Sequence, residues 1–283
     1  MRANIETFIG CNAEYEEARI IIFGAPFDST TSYRPGARFG SAAIRHESYG
    51  LETYSPYLDR DLEDIKVFDS GDLELPMGST EMALNAISEH TAKILDDGKL
   101  PFMIGGEHLV TLGAFREIHK HYTDVQIIHF DAHADLRDEY LGVHLSHACV
   151  MRRCHDLIGD EKIHQFGIRS GDHSEWTFAR QGHTFMHPFV LNDIEYVVDS
   201  IDKDTPIYFT VDLDVLDSSA FPGTGTPEAG GVSFNELRDA IVTVCKNLRV
   251  VGCDVNELAP MLDASGASTA TACKVVRELL LSL

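Results

Sequence analysis

The 283 residues predict an α/β fold, on three observations. Apolar runs of strand length recur along the chain. Each is followed by a stretch of helical periodicity. No Pro/Ser/Gly linker, low-complexity tract or internal repeat interrupts the array, so residues 1–283 read as one domain of roughly eight β/α units. The pattern fits a closed (β/α)8 barrel or an open sheet covered on both faces. Periodicity does not separate them, and on pattern alone the barrel is favoured.

The elements follow in order. Arg19–Ala25 is the first apolar strand, and a helix is expected near Ser41–Tyr49 after a long loop. Strand Ile65–Ser70 precedes an amphipathic helix over Ser79–Asp96, with Ser79 as N-cap and Gly98 just past its end. Strand Leu100–Ile104 precedes helix Leu109–His121. Strand Val125–Phe130 precedes a helix near Ser146–Leu157. Strand Lys162–Ile168 and helix His173–Gln181 follow, then a short strand His183–His187 and a helix near Val190–Ile201. Strand Pro206–Val211 with helix Phe234–Leu248, and strand Arg249–Val255 with helix Gly266–Leu283, complete the array.

Composition narrows the class. Apolar content of 44% suits a globular core. Residues Met1–Glu6 hold no long apolar run, and no uncharged stretch approaches the roughly 18 residues of a membrane span. A soluble cytoplasmic protein is expected. The six cysteines show no Cys-x-x-Cys spacing and read as reduced thiols. A net charge of −22 argues against nucleic-acid binding. It favours cationic ligands only weakly, because acidity also serves solubility.

Three strand ends carry polar groups able to bind metal. Asp131-Ala132-His133-Ala134-Asp135 follows strand Val125–Phe130. In an extended backbone, alternate residues share a side, so the three ligands would converge. Asp212-Leu213-Asp214 ends strand Pro206–Val211, and Gly105-Gly106-Glu107-His108 ends strand Leu100–Ile104. The glycines would let the chain turn sharply before His108. A solvated acidic loop is the bland alternative. Clustered carboxylates repel, however, and a bound cation relieves that. His108, His133, Asp131, Asp135, Asp212 and Asp214 are too many for one ion and about right for two that share carboxylates. Two loops stand out by length. Asp135–Ser146 leads into His147 and carries His144. Asp217–Ser233 is glycine-rich but lacks a phosphate-binding Gly-Lys pattern.

Gly105–His108, Asp131–Asp135 and Asp212–Asp217, in that order, resemble the signatures of the ureohydrolases, the arginase and agmatinase enzymes. The similarity starts at Gly24–Asp28, continues through Arg34–Gly40 and runs to the C-terminus. Asp135–Tyr140, Ser146–Ala148 and Pro222–Glu228 are most similar to the agmatinase branch. The resemblance implies a three-layer α/β/α fold around an open, mostly parallel eight-stranded sheet, against the barrel. It also implies two Mn²⁺ ions per subunit. One would be held by His108, Asp131, Asp135 and Asp212, the other by Asp131, His133, Asp212 and Asp214. The oxygen and imidazole donors, with no thiolate, agree with manganese without excluding zinc, cobalt or iron.

The implied reaction converts agmatine to putrescine and urea, with a metal-bridging hydroxide attacking the guanidinium carbon. Asp135 would relay a proton to the leaving nitrogen, and His147 would shuttle protons, with His144 a nearby competitor. Glu257 would hold the guanidinium, supported by Thr226. Asp217 would orient its loop. For the substrate's distal end, Asp172, Asp138, Glu139 and Glu228 would suit an ammonium, whereas Arg137 would suit a carboxylate unless paired internally with Asp138. Leu136–Asp138 and Leu145–His147 depart from the arginase pattern, and Ser218–Phe221 lacks the family's proline after the aspartate. The runner-up is a ureohydrolase acting on another guanidino or formimino compound, such as 4-guanidinobutanoate, 3-guanidinopropanoate, formiminoglutamate or arginine. A non-catalytic oligomeric scaffold, which should have lost ligands that are all present here, and a zinc deacetylase, which would need different ligand spacing, are more distant readings. The resemblance further implies a homotrimer or homohexamer, with no nucleic-acid or membrane partner.

Overall fold

A computed structural model describes residues 6–283. Its eight-stranded sheet is open, as the family resemblance implies and against the barrel that pattern alone favours. The strands are β1 (Ile20–Gly24), β2 (Val67–Asp72), β3 (Leu100–Ile104), β4 (Gln126–Phe130), β5 (Ile163–Ile168), β6 (Phe185–Pro188), β7 (Pro206–Asp212) and β8 (Arg249–Asn256). They lie in the order β2-β1-β3-β8-β7-β4-β5-β6, and every pairing is parallel. The edge strands explain the open form. β2 ends in Ser70-Gly71-Asp72 and β6 is partly exposed throughout and ends in Pro188. Neither offers the continuous apolar run that a fully paired parallel strand needs. β7, by contrast, is buried along its whole length.

Helices cover both faces. α2 (Thr80–Asp96), α3 (Val110–His121) and α4 (Val150–Ile158) pack together on one side. α1 (Gly40–Ser48), α6 (Ile194–Ser200), α7 (Phe234–Asn247) and α8 (Ala267–Ser282) pack on the other. α5 (His173–Arg180) follows β5. Strand alternation feeds the two resulting cores. Phe102, Phe130 and Phe209 join the α7–α8 side, while Met103, Ile127 and Tyr208 join the α2–α4 side.

Local signals were accurate where chemistry is local. Ser79 caps α2, its side chain accepting from Met82 N, and Gly98 sits past the helix end at φ 69°. Two expected helix starts are too early. His147–Cys149 forms a short 3₁₀ turn before α4. Phe189 is left-handed, at φ 74°, so α6 begins only at Ile194. The six cysteines are all free thiols. No helix among the described residues is long and apolar enough to cross a membrane.

The chain order positions the site. β3 and β4 are separated by β8 and β7, which the chain adds last. The order therefore reverses there, and the crevice beyond the C-terminal strand ends is where ligands bind in open α/β sheets. All three polar strand ends, and that of β8, meet at this crevice.

Candidate active site

Gly105 and Gly106 deliver His108, but not by the sharp turn expected of them. Neither has a positive φ. They are needed because neighbours approach closely. A Cβ on Gly105 would lie 1.8 Å from Asn256 Oδ1, and one on Gly106 would lie 2.0 Å from the Phe27 carbonyl oxygen. At the end of β4 the alternation argument fails in detail. His133 N donates to Asp131 Oδ1 at 2.6 Å, closing a tight turn, and Asp135 is left-handed at φ 52°. The ligands converge through that turn rather than through extended backbone. Asp212 caps a 3₁₀ turn over Leu213–Val215 by accepting from Asp214 N at 2.8 Å. Glu257, just past β8, is also left-handed, at φ 67°. Two non-glycine residues in this costly conformation at one crevice mark a functional site.

The six expected ligands meet. His108 Nδ1 lies 2.9 Å from Asp131 Oδ2, 3.2 Å from Asp212 Oδ2 and 3.4 Å from Asp135 Oδ2. Its other nitrogen, Nε2, sits 2.8 Å from the Thr210 hydroxyl, which leaves Nδ1 free to face the carboxylates. His133 Nδ1 lies 2.9 Å from Asp214 Oδ2 and 3.5 Å from Asp131 Oδ1. Asp214 Oδ2 is nonetheless buried without a hydrogen-bond partner. It lies at bonding distance from His133 Nδ1 without making an aligned hydrogen bond to it. His129, missed in the sequence because it lies inside the strand, places Nε2 2.8 Å from Asp131 Oδ2.

Charge is unbalanced here. Burial pushes Asp135 up to about 7, with Asp131 adding repulsion. Burial, then Asp214 and Asp131, raises Asp212 well above the carboxylate range. Asp131 runs the other way: burial opposes its ionisation, but His129, His108 and His133 together hold it well below that range. Burial likewise opposes protonation of His108 and His133, yet the surrounding aspartates raise both well above an ordinary imidazole. Buried carboxylates competing for protons are relieved by cations. One nitrogen facing three carboxylates, an orphaned carboxylate oxygen and a hard oxygen/imidazole donor set fit divalent metal ions.

A cavity of about 360 Å³ opens above the cluster. His147 lines it, with Nε2 3.2 Å from Ser32 Oγ and its backbone N–H donated to Thr30 Oγ1 at 3.0 Å. Burial, with the nearby His133 and His108, lowers its pKa to about 4, so it is neutral at pH 7. His144 is exposed, bonded to Asp138 O, and does not line the cavity. Glu257 lines it and accepts from His108 N at 2.8 Å. Burial, then Glu107 and Asp214, raises its pKa well above the usual range. Thr226 lines the cavity but makes no bond to Glu257; the His108 amide makes that contact instead.

Arg137 and Asp172 both line the cavity and bind each other at 2.6 Å. Glu175 adds a second carboxylate 3.5 Å from Arg137 Nε. The suggested Arg137–Asp138 pair does not form: Asp138 is exposed and pairs with Arg153 at 2.6 Å. Glu139 is exposed away from the cavity lining, and Glu228 reaches 3.9 Å from His133 Nε2. Asp217 accepts from the Gly230 and Gly231 amides, holding the glycine-rich loop. Sequence reasoning missed Glu107, Ser32, Tyr140 and Glu175. Three come from separate loops and Glu175 from the first turn of α5, and only Glu107, beside His108, carried a signal.

A model of the Arginase family matches residues 18–282. Agmatinase of Bacillus anthracis is 47% identical over 278 residues, spanning 98% of this chain and 96% of its own. A solved structure from Clostridium difficile is 53% identical with a TM-score of 0.93, covering 95% of this chain and 98% of that one. Agmatine ureohydrolase of Thermoplasma volcanium is 31% identical with a TM-score of 0.90, covering 99% of this chain and 94% of that one. With the crevice, the cluster and these likenesses in agreement, the chain belongs to the arginase family and is a ureohydrolase acting on C–N bonds of linear guanidino compounds.

Proposed function

We propose that the protein hydrolyses agmatine to putrescine and urea with two manganese ions per subunit. His108, Asp131, Asp135 and Asp212 would hold one ion, and Asp131, His133, Asp212 and Asp214 the other. When bound, such a pair supplies Lewis acidity that makes water nucleophilic near neutral pH. The protein's own groups do the rest. Glu257, oriented by the His108 amide, takes the planar guanidinium through charge-assisted hydrogen bonds and sets its carbon over the cluster. The cationic substrate lets Glu257 ionise despite its burial. Asp135, at the cavity floor, takes the proton given up by the attacking water and passes it to the departing amine nitrogen. His147, neutral at pH 7, carries the further proton that the amine takes from solvent at the mouth.

The choice of agmatine rests on Arg137. It is the one arginine or lysine among the described residues lining the cavity, and Asp172 and Glu175 neutralise it. A distal carboxylate would have to compete with both acids, whereas a distal ammonium meets a net-anionic wall. The agmatinase names of the Bacillus relatives support the same choice.

The test is urea release by Mn²⁺-loaded protein from agmatine, arginine, 4-guanidinobutanoate and 3-guanidinopropanoate. Agmatine is expected to lead in kcat/KM by about 100-fold, equivalent to roughly 2.7 kcal/mol. A lead for a carboxylate-bearing substrate would transfer the assignment to another guanidino acid and make Arg137 its anchor. A homotrimer or homohexamer is also proposed, and light scattering of the eluting protein gives its mass directly.

A further inference from the structure

Glu107, next in the chain to His108, is fully buried. All of its side-chain partners lie on the loop after β1. Thr30 N donates to Oε2 at 2.9 Å and Thr31 Oγ1 donates to the same oxygen at 3.1 Å. The Thr30 hydroxyl donates to Oε1. That hydroxyl has one proton, and the carboxylate takes it. Its lone pairs therefore face outward, where one accepts the His147 backbone N–H at 3.0 Å. Two residues on, Ser32 Oγ reaches His147 Nε2 at 3.2 Å. Three separate strand ends are joined in this way: β3 through Glu107, β1 through Thr30 and Ser32, and β4 through His147.

We infer that Glu107 and Thr30 are positioning residues for His147, with the Thr30 hydroxyl as a one-directional hydrogen-bond relay between the buried carboxylate and the imidazole's backbone. Neither touches the substrate. Glu107 orients the hydroxyl, the hydroxyl fixes the start of the 3₁₀ turn that carries His147, and Ser32 holds the ring. A methyl group in place of the hydroxyl keeps the shape and loses the relay. The inference rests on His147 as the group that exchanges the proton, so its test includes His147.

The experiment measures agmatine turnover by Mn²⁺-loaded Thr30→Ser, Thr30→Val, His147→Ala and the Thr30→Val/His147→Ala double variant, with metal content verified in each. Thr30→Ser keeps the hydroxyl and is expected within about twofold of wild type. Thr30→Val is expected to lower kcat about tenfold with KM within about twofold, the pattern of an interaction made in the transition state. Because Thr30 acts through His147, the double variant should be no slower than His147→Ala. Glu107→Gln, which cannot take both threonine protons, should show the same non-additivity with His147→Ala. Losses that multiply in the double variants, or a fully active Thr30→Val, would overturn the relay. If His147→Ala kept wild-type kcat while Thr30→Val lost it, the relay and the role of His147 would both fall. Multiplied losses on a slow His147→Ala would remove the relay alone.

Discussion

Single residues at this crevice do work that their type alone does not announce. Asp135 and Glu257 are ordinary acids in the sequence, and each is held left-handed in the fold. The surrounding packing must enforce that conformation, since a non-glycine residue there is strained. Replacing Glu257 by Gln keeps size and removes the charge proposed to face the guanidinium. Hydrogen bonds to charged groups are worth about 1.5–3 kcal/mol, so kcat/KM for agmatine should fall about 10- to 100-fold while metal content by elemental analysis stays unchanged. Full activity in Glu257→Gln would remove it from the binding of the guanidinium. The ligand types were legible because metals select donor chemistry. Asp214's orphaned oxygen was not, since its position opposite His133 depends on a neighbour far away in sequence.

Whole elements bring these residues into register. Arg169, at the end of β5, donates to the carbonyls of Asp214 at 2.7 Å, Glu228 at 3.1 Å, Val215 at 3.2 Å and Ala229 at 3.2 Å. It therefore ties the turn carrying Asp214 to the glycine-rich loop. A lysine has no planar fork to make these bonds, so Arg169→Lys should weaken metal binding about tenfold, read by metal titration of the stripped protein. Unchanged affinity would show that the turn holds itself. At the start of α8, Asp263 accepts from Ser265 N at 3.0 Å and Ser268 N at 2.8 Å. Those serines, Ser265 first, hold its carboxyl well below the usual range. A carboxyl depressed in the folded state stabilises above its unfolded value and loses that contribution as pH falls. Asp263→Ala should cost about 1 kcal/mol at neutral pH. The gap from wild type in chemical unfolding should close as pH drops below about 4. A gap constant with pH would assign the effect to packing alone.

At the scale of the molecule, the net charge of −22 includes a buried anionic cluster that the fold cannot balance alone. Any ion that binds only the folded state stabilises it by mass action, about 2.7 kcal/mol per site at a hundred times Kd. Chelation should therefore lower Tm by roughly 5–10 °C, and Mn²⁺ should restore it. Mg²⁺, which prefers to keep several waters, should restore less. A Tm that stays the same when bound metal is stripped and when Mn²⁺ is added back would mean that the cluster is balanced by protons instead.

The sequence by itself determined the β/α array, the six candidate ligands and, through their order, the family. Strand length, helical period and donor type are local properties that single stretches of chain carry. Periodicity did not choose between barrel and open sheet, because that depends on whether β2 and β6 meet; the family resemblance implied the open form, and in the tertiary structure polar edge residues leave the two strands apart. The tertiary structure alone paired Arg137 with Asp172 rather than Asp138, placed His147 and not His144 in the cavity, and turned Glu107 toward Thr30. Each of these outcomes is a contact between loops from different strand ends. Such contacts depend on where β7 and β8 insert between β3 and β4, which no single stretch of the chain encodes.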